Sequence, residues 1–175
     1  GLGPGIGIKA ETSKVVYHIL EIDLPKVIDA DALNLLAENP IWFSYLNEQT
    51  ILTPHAKEFD RLTKVHTTWE ERFTSAKEFA STYGCVLVLK APQTFIFSPK
   101  GEVFFNTTGN VALAKGGSGD VLTGMITSYL AQGISALDSA LCAVYNHGLA
   151  ADLAVKEINS RALLASDLVE FFTKI

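Results

Sequence analysis

Cys85-Val-Leu-Val-Leu-Lys90 is an apolar run without alternation, bounded by Gly84 before it and Ala91-Pro92 after it. A strand with one wet face alternates apolar and polar residues. A continuous apolar run is buried on both faces, as in a parallel sheet covered by helices. That reading makes the chain an α/β protein. Lys26-Val-Ile-Asp29 and Gln49-Thr-Ile-Leu-Thr53 are shorter runs of the same kind, each followed by a helical pattern. Phe95-Ile-Phe97 and Val103-Phe-Phe105 form a hairpin across Ser98-Pro-Lys-Gly101, whose Pro and Gly mark a turn.

Helical periodicity surrounds these strands. Lys9 to Leu20 has Val15, Val16, Ile19 and Leu20 on one side, and Ala32 to Glu38 forms a second helix for which Asp31 serves as N-cap or carries a functional role. Pro54 suits the first position of a third helix, capped by Thr53 and running to Leu62. Thr68 to Tyr83 sets Trp69, Phe73, Ala76 and Ala80 on one face. Ser135 to Val155 is a long helix with Leu137, Leu141, Val144, Ala151 and Val155 toward the core and His147-Gly148 in a close-packed stretch. Ser166 to Phe172 closes the chain as a short amphipathic helix.

Open parallel sheets place ligands beyond the C-terminal ends of their strands. The side chains arriving there are Asp29 and Asp31, His55 and Lys90. A lone His is more often structural than ligand-binding. Lys90 is either a solvated strand end or a cation placed for phosphates.

The second decisive stretch runs Asn110-Val-Ala-Leu-Ala-Lys-Gly-Gly-Ser-Gly-Asp120 and continues into a helix with Val121, Leu122, Met125, Ile126, Tyr129 and Leu130 on its buried stripe. Gly116, Gly117 and Gly119 leave backbone N–H groups free to close on an oxyanion at the positive end of the helix dipole. Asp120 in the first turn is either a helix-start acid favoured by the dipole or a base. With three glycines and Ser118 beside it, the second reading gives a phosphoryl-transfer layout without a Walker loop: the acid deprotonates a hydroxyl while the amides hold the developing charge.

The chain opens Gly1-Leu-Gly-Pro-Gly-Ile-Gly7. Such a loop normally follows a strand, so we expect part of the sheet to lie upstream of residue 1, a flexible tag remnant being the alternative. Ile6 and Ile8 break the spacing of a dinucleotide fingerprint. The 175 residues form one domain or the C-terminal portion of one, with 48% hydrophobic residues, 14 Lys and Arg against 19 Asp and Glu, and a net charge of -5. The basic residues are scattered, which argues against nucleic acid. No apolar stretch reaches membrane-spanning length. Cys85 and Cys142 have no CxxC partner and lie in apolar runs, as reduced thiols of a cytoplasmic core would. The apolar Phe, Leu and Ala content of the helices favours a homo-oligomer.

Five segments together, Val27-Ile-Asp-Ala-Asp-Ala-Leu-Asn34, Thr53-Pro-His-Ala-Lys-Glu-Phe59, Leu89-Lys-Ala-Pro-Gln-Thr94, Asn106-Thr-Thr-Gly-Asn110 and Gly116-Gly-Ser-Gly-Asp-Val-Leu-Thr-Gly124, resemble the NAD(P)H-hydrate dehydratase family of the ribokinase-like carbohydrate-kinase group. The resemblance implies a ribokinase-like three-layer sandwich over residues 1–175, with a mainly parallel central sheet flanked by helices and the N-terminal part of the sheet missing. It implies a repair lyase that uses ADP, or ATP, with Mg2+, to phosphorylate the ring hydroxyl of NADHX or NADPHX and then eliminate phosphate.

Carried across by motif, Asp120 is the catalytic acid/base, and Gly117, Ser118 and Gly119 form the anion hole. Lys90, Ala91, Pro92, Gln93, Thr94 and Gly119 hold the adenine nucleotide; Gly5, His55 and Asp120 contact the hydrate. The chain departs from the family pattern at Ala91 and at Lys57, both usually glycine, and family members carry a further segment upstream, in many bacteria with an epimerase domain fused in front. A small-molecule kinase of the same group, or a non-catalytic nucleotide-binding remnant, are the alternatives.

Overall fold

The computed structural model describes residues 1–175. Strands β1 (Lys26–Ile28), β2 (Thr50–Leu52), β3 (Val86–Leu89), β4 (Phe95–Phe97) and β5 (Val103–Phe105) form one sheet in that order. β1, β2 and β3 run parallel, with Ile28 beside Leu52 and Leu52 beside Leu87. The hairpin β4–β5 then runs antiparallel along β3. Leu2 bridges Ile28 on the outer edge of β1, its N–H donating to the Val27 carbonyl at 2.9 Å.

Strand side chains alternate between the two faces. Ile28, Leu52, Leu87, Leu89 and Phe97 point one way, onto α1 (Ala10–Glu21), α2 (Ala30–Glu38), α3 (Ala56–Leu62) and α4 (Trp69–Tyr83). Val27, Ile51, Val86, Val88 and Ile96 point the other way, onto α5 (Ser118–Ala131) and α6 (Ala136–Glu157). Helices on both faces of one sheet make a three-layer α/β sandwich, as expected. The short α7 (Leu168–Phe171) closes a satellite core with the C-terminal half of α6. None of the helices is long and apolar enough to cross a membrane.

Several local expectations shift. α3 is capped by His55, not Thr53: the Glu58 N–H donates to His55 Nδ1 at 3.1 Å, and the His55 N–H donates to Glu58 Oε2 at 2.8 Å. Pro54 therefore precedes the helix, and its carbonyl accepts the Lys90 N–H at 2.8 Å, pairing the ends of β2 and β3. Asp29 occupies the N-cap of α2, which leaves Asp31 in the first turn, where it accepts the Gly7 N–H at 2.9 Å. Trp69, expected on the packed face, is half exposed with its ring under the Arg72 guanidinium, and Phe79 is buried with Ala76 and Ala80 instead.

The inward face of α6 is a stripe of small residues. Ala136, Ala140, Ala143, Ala150, Ala151 and Ala154 are buried, whereas Leu137, Leu141 and Val155 are only half buried, because the helix lies close to its neighbours and leaves room for nothing longer. Cys85 is buried but Cys142 is exposed, so only the first is a core thiol. Pro40–Tyr45 forms a 3-10 helix that supplies Trp42 and Phe43 to the core; Pro40 and the irregular spacing of its aromatics hid it from periodicity.

Candidate functional site

The parallel strands β1, β2 and β3 deliver Asp29, His55 and Lys90 to one edge of the sheet, and α5 begins above that edge. Gly117 caps α5 with φ +90°, a left-handed conformation that costs a side chain about 1–2 kcal/mol and glycine almost nothing. The first-turn amides from Ser118 to Asp120 have no partner within the helix. Ser118 is buried, Gly119 half buried and Asp120 exposed.

Between this helix start and the strand ends lies a cleft of about 670 Å³. His55, Lys90, Ala91, Pro92, Thr94, Ser118 and Gly119 line it. So do Asn106, Thr108, Gly109 and Asn110 from the segment after β5, and His147 and Gly148 from α6. No carboxylate is among its lining residues, so a chain of net charge -5 offers an anion a cleft without acidic walls. Gln93 instead lines a neighbouring apolar cavity of about 550 Å³ with Trp69, Phe73 and Phe95. Gly5, Gly117 and Asp120 stand outside the lining of the cleft. Gly5 turns at φ +68° in the N-terminal loop with open space around it.

Lys90 is not a free cation. Its Nζ donates to Asp29 Oδ1 at 2.8 Å, and Thr123 Oγ1 of α5 donates to Asp29 Oδ2 at 2.8 Å. The pair lies beneath Gly119: a Cβ there would sit 3.3 Å from Lys90 Nζ and 3.9 Å from Asp29 Oδ2. A side chain at this position would have to displace the ammonium by a few tenths of an ångström. Lys115, within the glycine-rich loop, is fully committed elsewhere, donating to the carbonyls of Ser160, Arg161 and Leu163 at 3.0, 2.8 and 2.6 Å. It pins the chain between α6 and α7 beside the helix start and keeps no proton for a ligand.

The wall opposite Lys90 is built by α6. The Gly109 N–H and the Asn110 side-chain amide donate to Asp152 at 2.8 Å each, and Thr108 Oγ1 donates to the Tyr145 carbonyl at 2.8 Å. Tyr145, Gly148 and Asp152 recur at helical spacing, so one stripe of α6 seats the whole 106–110 segment. Reading the sequence for apolar periodicity passed over this polar stripe, over Asp152, and over any role for His147 beyond packing.

His147 is buried at the base of the cleft with its Nε2 unpartnered. Burial pushes its pKa down to about 4; the Ser118 main chain opposes this and the Lys90 charge adds to it. The folded chain therefore binds fewer protons than the unfolded chain between pH 6.5 and about 4, and stability falls as pH drops through that window. Between pH 7 and pH 5 this histidine should cost about 2 kcal/mol. Urea unfolding at the two pH values checks this. His147→Gln should lose about 2 kcal/mol less than the parent over that interval, and an equal loss would mean that the imidazole is not held neutral.

The chain has no group of three or more His, Cys, Asp or Glu side chains able to hold a metal ion. A magnesium ion here would take its ligands chiefly from phosphate oxygens and water, as Mg2+ does at most nucleotide sites. The remaining features fit a nucleotide: the Gly119 and Asp120 amides, which have no backbone partner, one fixed ammonium, and a wall formed by the 106–110 segment.

A family model described as NAD(P)H-hydrate dehydratase matches residues 1–174. The chain is 42% identical over 170 residues to the bifunctional NAD(P)H-hydrate repair enzyme Nnr of Vibrio cholerae, covering 96% of this chain and 33% of the relative. The structure of an ADP/ATP-dependent NAD(P)H-hydrate dehydratase from Bacillus subtilis, co-crystallized with ATP/Mg2+, superposes with a TM-score of 0.84 at 37% identity, covering 99% of this chain and 61% of that one. A ribokinase-like superfamily protein from Enterococcus faecalis superposes with a TM-score of 0.81 at 28% identity, covering 99% of this chain and 62% of that one. The chain thus spans about a third of the length of the bifunctional relative, and its fold is ribokinase-like.

Proposed function

The chain belongs to the NAD(P)H-hydrate dehydratase family, and on that premise we propose that it restores NADH and NADPH from their hydrates, using an adenine nucleotide to phosphorylate the ring hydroxyl before phosphate leaves. The observation that carries this reading is the single cleft in which the loop after β3, the 106–110 segment and the glycine-rich start of α5 meet. Phosphorylation turns a poor leaving group, hydroxide, into a good one, so the ring regains its double bond without a strong acid.

In this reading Asp120 takes the proton of the substrate hydroxyl, and the amides of Gly117, Ser118 and Gly119 stabilise charge on the transferring group. Lys90 and Thr94 hold the phosphates, with Ala91, Pro92 and Gln93 shaping the nucleotide loop. His55, half exposed at the edge of the cleft, and Gly5 in the N-terminal loop flank the hydrate. Magnesium would arrive with the nucleotide and neutralise its phosphates. ADP is the expected nucleotide, from the Gly-Ser-Gly-Asp form of the loop. The free thiols of Cys85 and Cys142 suit a reducing cytoplasm.

The test is the return of NADH absorbance from NADHX, with ADP and then ATP plus magnesium, on this chain and on a version extended at its N-terminus. Turnover with ADP is expected. A stable phosphorylated hydrate would make the protein a kinase, and ADP binding with no NADH returned by either chain would make it a nucleotide-binding protein without this activity.

A further inference from the structure

Asp29 is 1% exposed, and both its oxygens are engaged across long stretches of chain, one by the Lys90 ammonium and one by the Thr123 hydroxyl. Lys90 comes from the end of β3 and Thr123 from the second turn of α5, so one carboxylate ties together the cation and the helix that define the two sides of the anion site. Ala30, the next residue, has φ +48° and is the chain's only non-glycine residue with positive φ. Left-handed backbone in a residue with a Cβ persists only where its surroundings impose it, and it concentrates at functional sites. The Asp29 N–H donates to the Leu2 carbonyl at 3.0 Å, and Gly3 leaves no room for a Cβ against the Asp29 carbonyl, so the backbone of Asp29 is held as firmly as its side chain.

A buried ion pair is weak evidence for stability, since two apolar residues of similar volume would serve as well. What an apolar pair could not supply is a placed charge. The side chain of Lys90 is 21% exposed and that of Asp29 2%, so the ammonium is the member of the pair that a ligand in the cleft can reach. Lysine's ammonium carries three donors, and only one is given to Asp29. The lysine stem is flexible, and fixing it before the ligand arrives removes that ordering from the cost of binding.

We propose that Asp29 is a positioning residue for the nucleotide: it holds the Lys90 ammonium beneath Gly119 and locks the start of α5 over it, so that cation and helix amides converge on one phosphate. The proposal rests on the nucleotide reading of the cleft. It differs from simple charge compensation in sign. If Asp29 merely neutralised Lys90, removing it would leave an unshielded ammonium that attracts phosphate more strongly, and Lys90 would matter more. If Asp29 places the ammonium, removing it makes Lys90 matter less.

The experiment is a double-mutant cycle on ADP affinity, measured by calorimetry with magnesium, using the parent, Asp29→Asn, Lys90→Met and the double variant. We expect Lys90→Met to weaken ADP at least tenfold in the parent and less than threefold in the Asp29→Asn background. Where Asp29→Asn alone does not fold, the Thr123→Val background carries the comparison. Thr123→Val supplies an independent arm: it keeps the charge pair, frees the carboxylate from α5, and should reduce the Lys90→Met penalty to an intermediate value. A Lys90→Met penalty that is unchanged or larger in the Asp29→Asn or Thr123→Val background overturns the proposal alone. A parent chain that binds no ADP removes the nucleotide reading and this proposal with it.

Discussion

Asp120→Asn should lower kcat by roughly 10²–10⁴-fold, the range over which a positioned general base acts, while ADP affinity stays within about tenfold. The two effects separate because of where the residue sits. Asp120 is exposed on the first turn of α5, one residue past Gly119, which lines the cleft. The amides proposed to hold the anion belong to the backbone and survive the substitution. Asparagine keeps the size of the side chain and removes the charge, so repulsion of the phosphate declines and nucleotide binding has no reason to weaken. The loss of a carboxylate at the positive end of a helix costs only about 0.3–1 kcal/mol, too little to explain a large fall in rate by unfolding. Single-turnover and steady-state rates for NADHX, with ADP binding measured alongside, decide it. Full activity in Asp120→Asn would remove Asp120 from the chemistry.

Gly148→Ala should be the most damaging single methyl group at the cleft. A Cβ at Gly148 would overlap Thr108 Oγ1 and lie 2.6 Å from the Thr108 carbonyl carbon and 2.8 Å from its oxygen. Two of those atoms are backbone, and the hydroxyl is held by the Tyr145 carbonyl, so none can simply rotate away. The 106–110 segment must lift off α6. Alanine is favoured over glycine within a helix by about 1 kcal/mol, which opposes the clash. Overpacking of this kind usually costs 1–3 kcal/mol, and contact with backbone puts the cost at the upper end or above it. A net loss of about 2 kcal/mol should lower Tm by roughly 4–8 °C for a chain of this length. Because the displaced segment carries Asn106, Thr108 and Asn110, ADP affinity should fall at least tenfold as well. Thermal unfolding and ADP titration of the same sample test both parts. An unchanged or raised Tm would show that the seat on α6 is looser than its geometry indicates.

The parts of the molecule read correctly from sequence are those whose signal is local. The apolar run at β3, the Ser98-Pro-Lys-Gly101 hairpin turn and the glycine-rich entry to α5 each state their own conformation, because burial on two faces, a proline-glycine turn and a left-handed glycine are decided within a few residues. The parallel order of β1, β2 and β3 follows from helices intervening between strands, and with it the expectation that Asp29, His55 and Lys90 meet at one sheet edge. The cap of α3 was misplaced because a histidine took a role usually filled by Ser, Thr, Asp or Asn, and only its bond from the Glu58 N–H reveals it. Likewise the alanine stripe of α6 reads as high helix propensity, and nothing in it announces that the facing loop comes close enough to exclude a methyl group.

The tertiary structure alone decided what the ends of those strands do. Asp29 meets Lys90 across 61 residues and Thr123 across 94, and no spacing in the chain records either contact. An aspartate after a strand and a lysine after another each have several possible partners in water. Closing the sheet brings them within 2.8 Å, buries the carboxylate, and leaves the ammonium facing the cleft with its position already fixed. The same closure puts His147 where burial holds it neutral. Sequence determined which conformations the backbone adopts, since these depend on neighbouring residues. The charges and contacts of the site depend on distances and desolvation, and these exist only once the layers have packed.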